Sequence, residues 1–105
     1  MNDANPVGVT VLYLVKQGKE SEFVNIVKRH APALKASGLI TQEPVNLTKG
    51  KNIRSGKQVF IETFQWINEK ASDIAHQTPE IMAVWEPMGP LLESLEIYHV
   101  EPVNP

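Results

Sequence analysis

From residue 7 the chain runs Val-Gly-Val-Thr-Val-Leu-Tyr-Leu-Val, a nearly continuous apolar stretch rich in β-branched residues. Nine residues is short for a buried helix, so the run reads as a strand over 7–15. Val7, Val9, Val11, Tyr13 and Val15 share one side, and Leu12 and Leu14 lie on the other. A strand apolar on both faces predicts a central strand with cover above and below. After the turn Lys16-Gln-Gly-Lys19 the period changes. Over residues 20–36, Phe23, Ile26, Val27, His30, Ala31 and Leu34 form one helical stripe, with Glu20, Glu22, Lys28, Arg29 and Lys35 on the other sides. Pro32 interrupts that pattern. It removes one backbone hydrogen bond and crowds the carbonyl of Lys28, which predicts a kink. Ser37-Gly38 supplies the glycine that ends a helix.

Residues 39–48 read as a second strand and 57–66 as a third. Lys49, Lys51, Arg54 and Lys57 fall in the hairpin loop 49–57 between them. In the third strand Val59, Ile61 and Thr63 alternate with Phe60, Glu62, Phe64 and Trp66, so both faces are again largely apolar. Residues 68–92 form a second helical region in two pieces. Asn68 is a candidate cap for the first piece. Thr78-Pro79-Glu80 opens the second with a cap, a proline in the first turn and an acid. Ile81, Trp85, Met88 and Leu92 mark its apolar face, and Pro87 and Pro90 make its end irregular. A last strand over 94–101 precedes a loose tail. The order is βαββαβ, an α+β domain with its ordered core at about 7–101. Both helices on one face leave the other sheet face uncovered. Since the strands are apolar there too, a second copy of the chain is the economical cover, giving a homodimer.

At 105 residues the chain fits one domain, and 42% hydrophobic with 21% charged residues is an ordinary globular mix. A net charge of -2 argues against nucleic acid as a partner, because phosphate binding needs a concentrated basic surface. The absence of cysteine removes thiolate nucleophiles and disulfides and fits a reducing cytoplasm. Residues 1–6 show no basic, apolar leader pattern, and no run approaches a membrane span, so no membrane association is expected.

Candidate chemistry rests on few residues. His30 lies in the apolar stripe of the first helix, where a buried imidazole needs a partner. It is either a base facing a cleft or a core histidine bonded to a carbonyl, one freed by Pro32. His76 stands just before the break at Thr78-Pro79, where clefts open; the plain alternative is a histidine complementing a helix C-terminus. His99 reads as a half-buried strand residue. Glu62, set among Phe60, Phe64 and Trp66, suits proton transfer if dry, or forms an ion pair with a helix lysine or arginine or across the dimer. Tyr13, Trp66, Trp85 and Tyr98 offer flat surfaces with polar handles for an aromatic ligand, or are simply core. The basic loop is a solvated hairpin or a lid that attracts an anion. No glycine-rich phosphate loop and no histidine pair at metal-ligand spacing occurs, so no cofactor and no metal is expected.

Three stretches taken together resemble the antibiotic biosynthesis monooxygenase family and the wider dimeric α+β barrel group. They are Val11-Leu-Tyr-Leu-Val-Lys-Gln-Gly-Lys-Glu20 with Phe23, then Phe60-Ile-Glu-Thr-Phe64, then Ala75-His-Gln-Thr-Pro-Glu-Ile81 running to Pro90-Leu-Leu92. Glu62 and Phe64 match the family's Glu-x-aromatic strand end; Ala75, His76 and Pro79 match its Ala-His and proline helix. The resemblance implies a ferredoxin-like subunit, a dimer that pairs two sheets into a barrel, and a pocket between sheet and helices in each subunit. It implies a cofactor-independent monooxygenase acting on a small phenol or quinol, with His76 as base, His30 second and Glu62 as a third catalytic candidate, and with Tyr13, Phe64, Trp66 and Trp85 as walls. The group also holds non-enzymatic ligand-binding and stress-associated dimers, which is the alternative. The Asn, Trp and His set of haem-degrading members does not map here, because Trp66 belongs to a strand end.

Overall fold

The computed structural model describes residues 5–103, so the reading of residues 1–4 as free of a leader, and the end of the tail, lie outside it. The elements run β1 (Val7–Val15), α1 (Glu20–Val27), α2 (His30–Ser37), β2 (Asn46–Lys51), β3 (Gln58–Trp66), α3 (Ala71–Ala75), α4 (Pro79–Met88), a 3-10 turn (Gly89–Leu91) and β4 (Leu92–Val100). The strands form one antiparallel sheet in the order β2-β3-β1-β4. This is the α+β, ferredoxin-like arrangement expected, with β1 and β3 at the centre.

Alternation along β1 and β3 divides the sheet into two faces. Val9, Val11, Tyr13, Phe60, Glu62, Phe64 and Trp66 are buried on one face. The helices cover that face with Phe23, Val27, His30, Leu34, Ile81, Val84 and Met88. The other face carries Leu12, Leu14, Val59 and Ile61, half-buried within a single chain. Gly8 on β1 fits a close approach, since a Cβ there would meet the Val100 carbonyl at 3.0 Å.

Five local readings are corrected. The helix over 20–36 is two helices broken at Lys28-Arg29. Pro32 has no N–H to return to the Lys28 carbonyl, and the break falls at that residue. The buried spacing Phe23, Val27, His30, Leu34 nevertheless continues across the break. The second strand does not span 39–48. Ile40 makes an isolated bridge to Trp66, Thr41 turns the chain by accepting the Glu43 N–H, and Pro44 lacks a ladder donor, so β2 begins only at Asn46. Lys49 and Lys51 therefore belong to β2, and the hairpin loop shrinks to residues 52–57, where Asn52 Oδ1 accepts the N–H groups of Arg54 and Ser55. Asn68 does not cap α3; its side chain accepts the Lys70 N–H in the turn before it. Thr78 is the first residue of the α4 entry, but its hydroxyl donates backwards to the Ile74 carbonyl (2.8 Å). Gly38 ends α2 in the left-handed conformation, φ 73°, as its position predicts.

Candidate active site

The break between α1 and α2 places His30 at the first position of α2, directly over β3. Its Nδ1 lies 2.9 Å from both carboxylate oxygens of Glu62. The Tyr13 hydroxyl on the neighbouring strand donates to Glu62 Oε1 at 2.6 Å. From the other side, the Trp85 indole N–H of α4 donates to His30 Nε2 at 2.8 Å. An indole can only donate. His30 Nε2 therefore carries the lone pair, Nδ1 carries the proton, and Glu62 accepts from both Nδ1–H and the Tyr13 hydroxyl. One arrangement of protons satisfies the whole chain Tyr13–Glu62–His30–Trp85. Among the described residues no buried side-chain polar atom lacks a partner. His30, Glu62 and Tyr13 are 2%, 1% and 3% exposed, so this part of the network is almost wholly buried.

Burial first, then the charge of Glu62 and the hydrogen bond to it, push the Tyr13 phenol well above its ordinary range. The folded chain thus holds the Tyr13 proton more tightly than the unfolded chain. The stability this represents is complete below the unfolded value near ~10 and is lost as pH rises beyond it. Tyr98 is exposed, and its hydroxyl is raised by the bond it donates to Glu96 (3.2 Å). Alkaline titration followed by phenolate absorbance should show one of the two tyrosines ionising reversibly and the other only as the protein unfolds. Two tyrosines ionising together with the fold intact would contradict the network.

The network forms the back of a pocket of about 200 Å³ between sheet and helices. Val9, Val11, Phe64, Trp66 and Met88 make its walls apolar. Phe64 meets Trp66 edge-on at 4.9 Å and His30 at 5.8 Å. His76 is also at the wall, exposed at the end of α3. Its Nδ1 lies 2.8 Å from the Ser72 carbonyl, and its ring packs on Trp85 at 4.8 Å. A carbonyl only accepts, so Nδ1 carries a proton, and in the neutral ring Nε2 keeps a free lone pair.

The pocket brings together Tyr13, His30, Phe64, Trp66, His76 and Trp85, which the sequence had singled out from five separate elements. Glu62 does not reach the wall and acts on the pocket only through His30 and Tyr13. Neither sequence reading of its partner holds: it pairs with a histidine and a tyrosine, not with a lysine, an arginine or a second copy. His30 likewise bonds a carboxylate and an indole, not a carbonyl. Tyr98 lies on the opposite sheet face, and none of residues 49–57 borders the pocket, so the basic hairpin is not its lid. His99 was missed. It is exposed rather than half-buried and borders the pocket with Leu95 and Ile97, because β4 is an edge strand beyond the reach of the helices. The alternation of Leu95, Ile97 and His99 with Ser94, Glu96 and Tyr98 was the available signal. Among the described residues no three acidic, cysteine or histidine side chains gather as a metal-ligand set, and no helix is long and apolar enough to cross a membrane.

No family model matches the chain, and no curated protein does. Solved structures do match in fold. A protein of Caulobacter crescentus named for the antibiotic biosynthesis monooxygenases superposes with a TM-score of 0.72 at 20% identity, covering 97% of this chain and 93% of its own. A point mutant of SnoaB, a cofactor-independent oxygenase of Streptomyces nogalater, gives 0.71 at 15% identity and covers 97% of each chain. A NIPSNAP family protein of Agrobacterium tumefaciens gives 0.67 at 16% identity, covering 99% of this chain and 91% of its own. The fold is that of the antibiotic biosynthesis monooxygenases, and the NIPSNAP likeness shows it is not theirs alone.

Proposed function

We propose that this protein is a cofactor-independent monooxygenase for a small phenol or quinol, working as a homodimer. The observation that carries the reading is His76: its proton is fixed on Nδ1 by the Ser72 carbonyl, leaving a lone pair on Nε2 at the wall of an apolar, aromatic-lined pocket. His76 takes the hydroxyl proton of the bound ring. The resulting phenolate passes one electron to O2, and the two radicals join at a ring carbon that bears hydrogen. His76 returns the proton to the terminal peroxide oxygen. Loss of the ring proton with cleavage of the O–O bond then releases water and leaves a quinone. One oxygen atom enters the product, the other leaves in water, and the ring supplies all four electrons. The protein supplies a base, a fixed ring orientation from Phe64, Trp66 and Trp85, and a site with little water. The oxygenase-named fold neighbours support the class of chemistry by analogy of fold alone.

Turnover is read as oxygen uptake with a panel of phenols and quinols, and it should survive chelators. A ligand that binds saturably with no oxygen uptake across the panel would favour the binding-protein alternative instead. The dimer reading rests on Leu12, Leu14, Val59 and Ile61, which lie on the helix-free sheet face, and on exposed Val100 nearby. Sedimentation should give a dimer at micromolar concentration, its interface exceeding the ~1,000 Å² of specific contacts. A stable monomer would contradict it.

A further inference from the structure

His30 Nε2, a polar acceptor bordering the pocket, is already occupied by the Trp85 indole N–H. The two groups differ in how firmly they are held. His30 is fixed from behind by both Glu62 oxygens and is fully buried. Trp85 is half-buried on α4, borders the pocket, and its N–H makes that single hydrogen bond. The carboxylate behind His30 also polarises the imidazole and strengthens Nε2 as an acceptor.

We propose that the His30–Trp85 hydrogen bond is the recognition point for one hydroxyl of a dihydroxy aromatic ligand. The hydroxyl inserts between the two side chains, donating its proton to His30 Nε2 and accepting the indole N–H from Trp85. A hydroxyl is both donor and acceptor, so both protein groups stay satisfied after insertion. An ether oxygen satisfies Trp85 and orphans His30; a hydrocarbon satisfies neither. No covalent bond changes in this step. With one hydroxyl held at the back by His30 and Trp85, the other is left for the free Nε2 of His76 at the wall. The pocket thus selects a quinol over a monohydric phenol. This rests on the proposed function only in taking an aromatic hydroxyl compound as the ligand.

The experiment is an anaerobic titration of the 15N-labelled native protein with hydroquinone, 4-methoxyphenol and 1,4-dimethoxybenzene. These probes share a ring and differ in hydroxyl count, and excluding oxygen separates binding from turnover. The chain has two tryptophans, so a Trp66→Phe sample assigns the Trp85 indole N–H signal. Hydroquinone should shift that signal and bind at least about fivefold more tightly than dimethoxybenzene, the equivalent of one net hydrogen bond. Dimethoxybenzene should leave the His30–Trp85 bond closed and shift the signal far less. In folded His30→Phe the preference should vanish; if that variant does not fold, the native titration decides alone. Hydroquinone binding that leaves the Trp85 signal unmoved overturns this inference and leaves the proposed function standing. Failure of all three probes to bind overturns both.

Discussion

His30→Ala should destabilise the protein by roughly 3–5 kcal/mol, the cost of leaving one member of a buried charge-bearing pair alone. Three losses combine at this site. The Glu62 carboxylate, 1% exposed, keeps only the Tyr13 hydroxyl; the Trp85 N–H loses its acceptor; and a cavity opens between α2 and β3 beside Phe64. For a domain of this size each kcal/mol shifts Tm by about 4–8 °C, so the midpoint should fall by more than ~10 °C. Trp85→Phe should cost less, about 1–3 kcal/mol for leaving His30 Nε2 without its donor, because a phenyl ring still fills part of the indole's place. Thermal melts of the two variants decide it. Equal, small losses would mean that the network contributes little to the folded state.

His76→Ala should behave the opposite way. The side chain is exposed and bonds only its own helix turn, through the Ser72 carbonyl, so stability should change little. On a quinol that the parent converts, the rate should fall about 100-fold or more, the usual size of a general-base contribution. Full turnover by His76→Ala would remove it as the base and pass that role to His30, whose Nε2 becomes free when Trp85 yields.

The fold was readable because its signals are local. Alternation in β1 and β3 and the spacing of Phe23, Val27, His30 and Leu34 set which faces are buried, whatever the loops do. The second strand was misplaced because Val45, Leu47 and the residues before Pro44 carry a weak apolar signal, and the turn at Thr41 depends on contacts with Gln65. The site was legible as a set of residue types and not as a set of bonds. His30 and Glu62 each stood out as polar groups on apolar faces, yet they are 32 residues apart, and their pairing depends on where α2 crosses β3. Trp85, 55 residues from His30, was legible as a pocket wall or a core aromatic and not as a partner of His30. No local pattern shows that its N–H completes the chain. His99 escaped for a related reason: its place beside Val9 is a matter of register between β1 and β4.

The decisive measurement is turnover under 18O2 of a quinol shown to bind, with the product analysed by mass spectrometry. Chelator-treated protein should yield quinone carrying one 18O atom per molecule, with the second in water, and His76→Ala should form it about 100-fold more slowly. A bound quinol that acquires no 18O, or that is oxidised with both oxygen atoms released as peroxide, would contradict monooxygenation in this pocket.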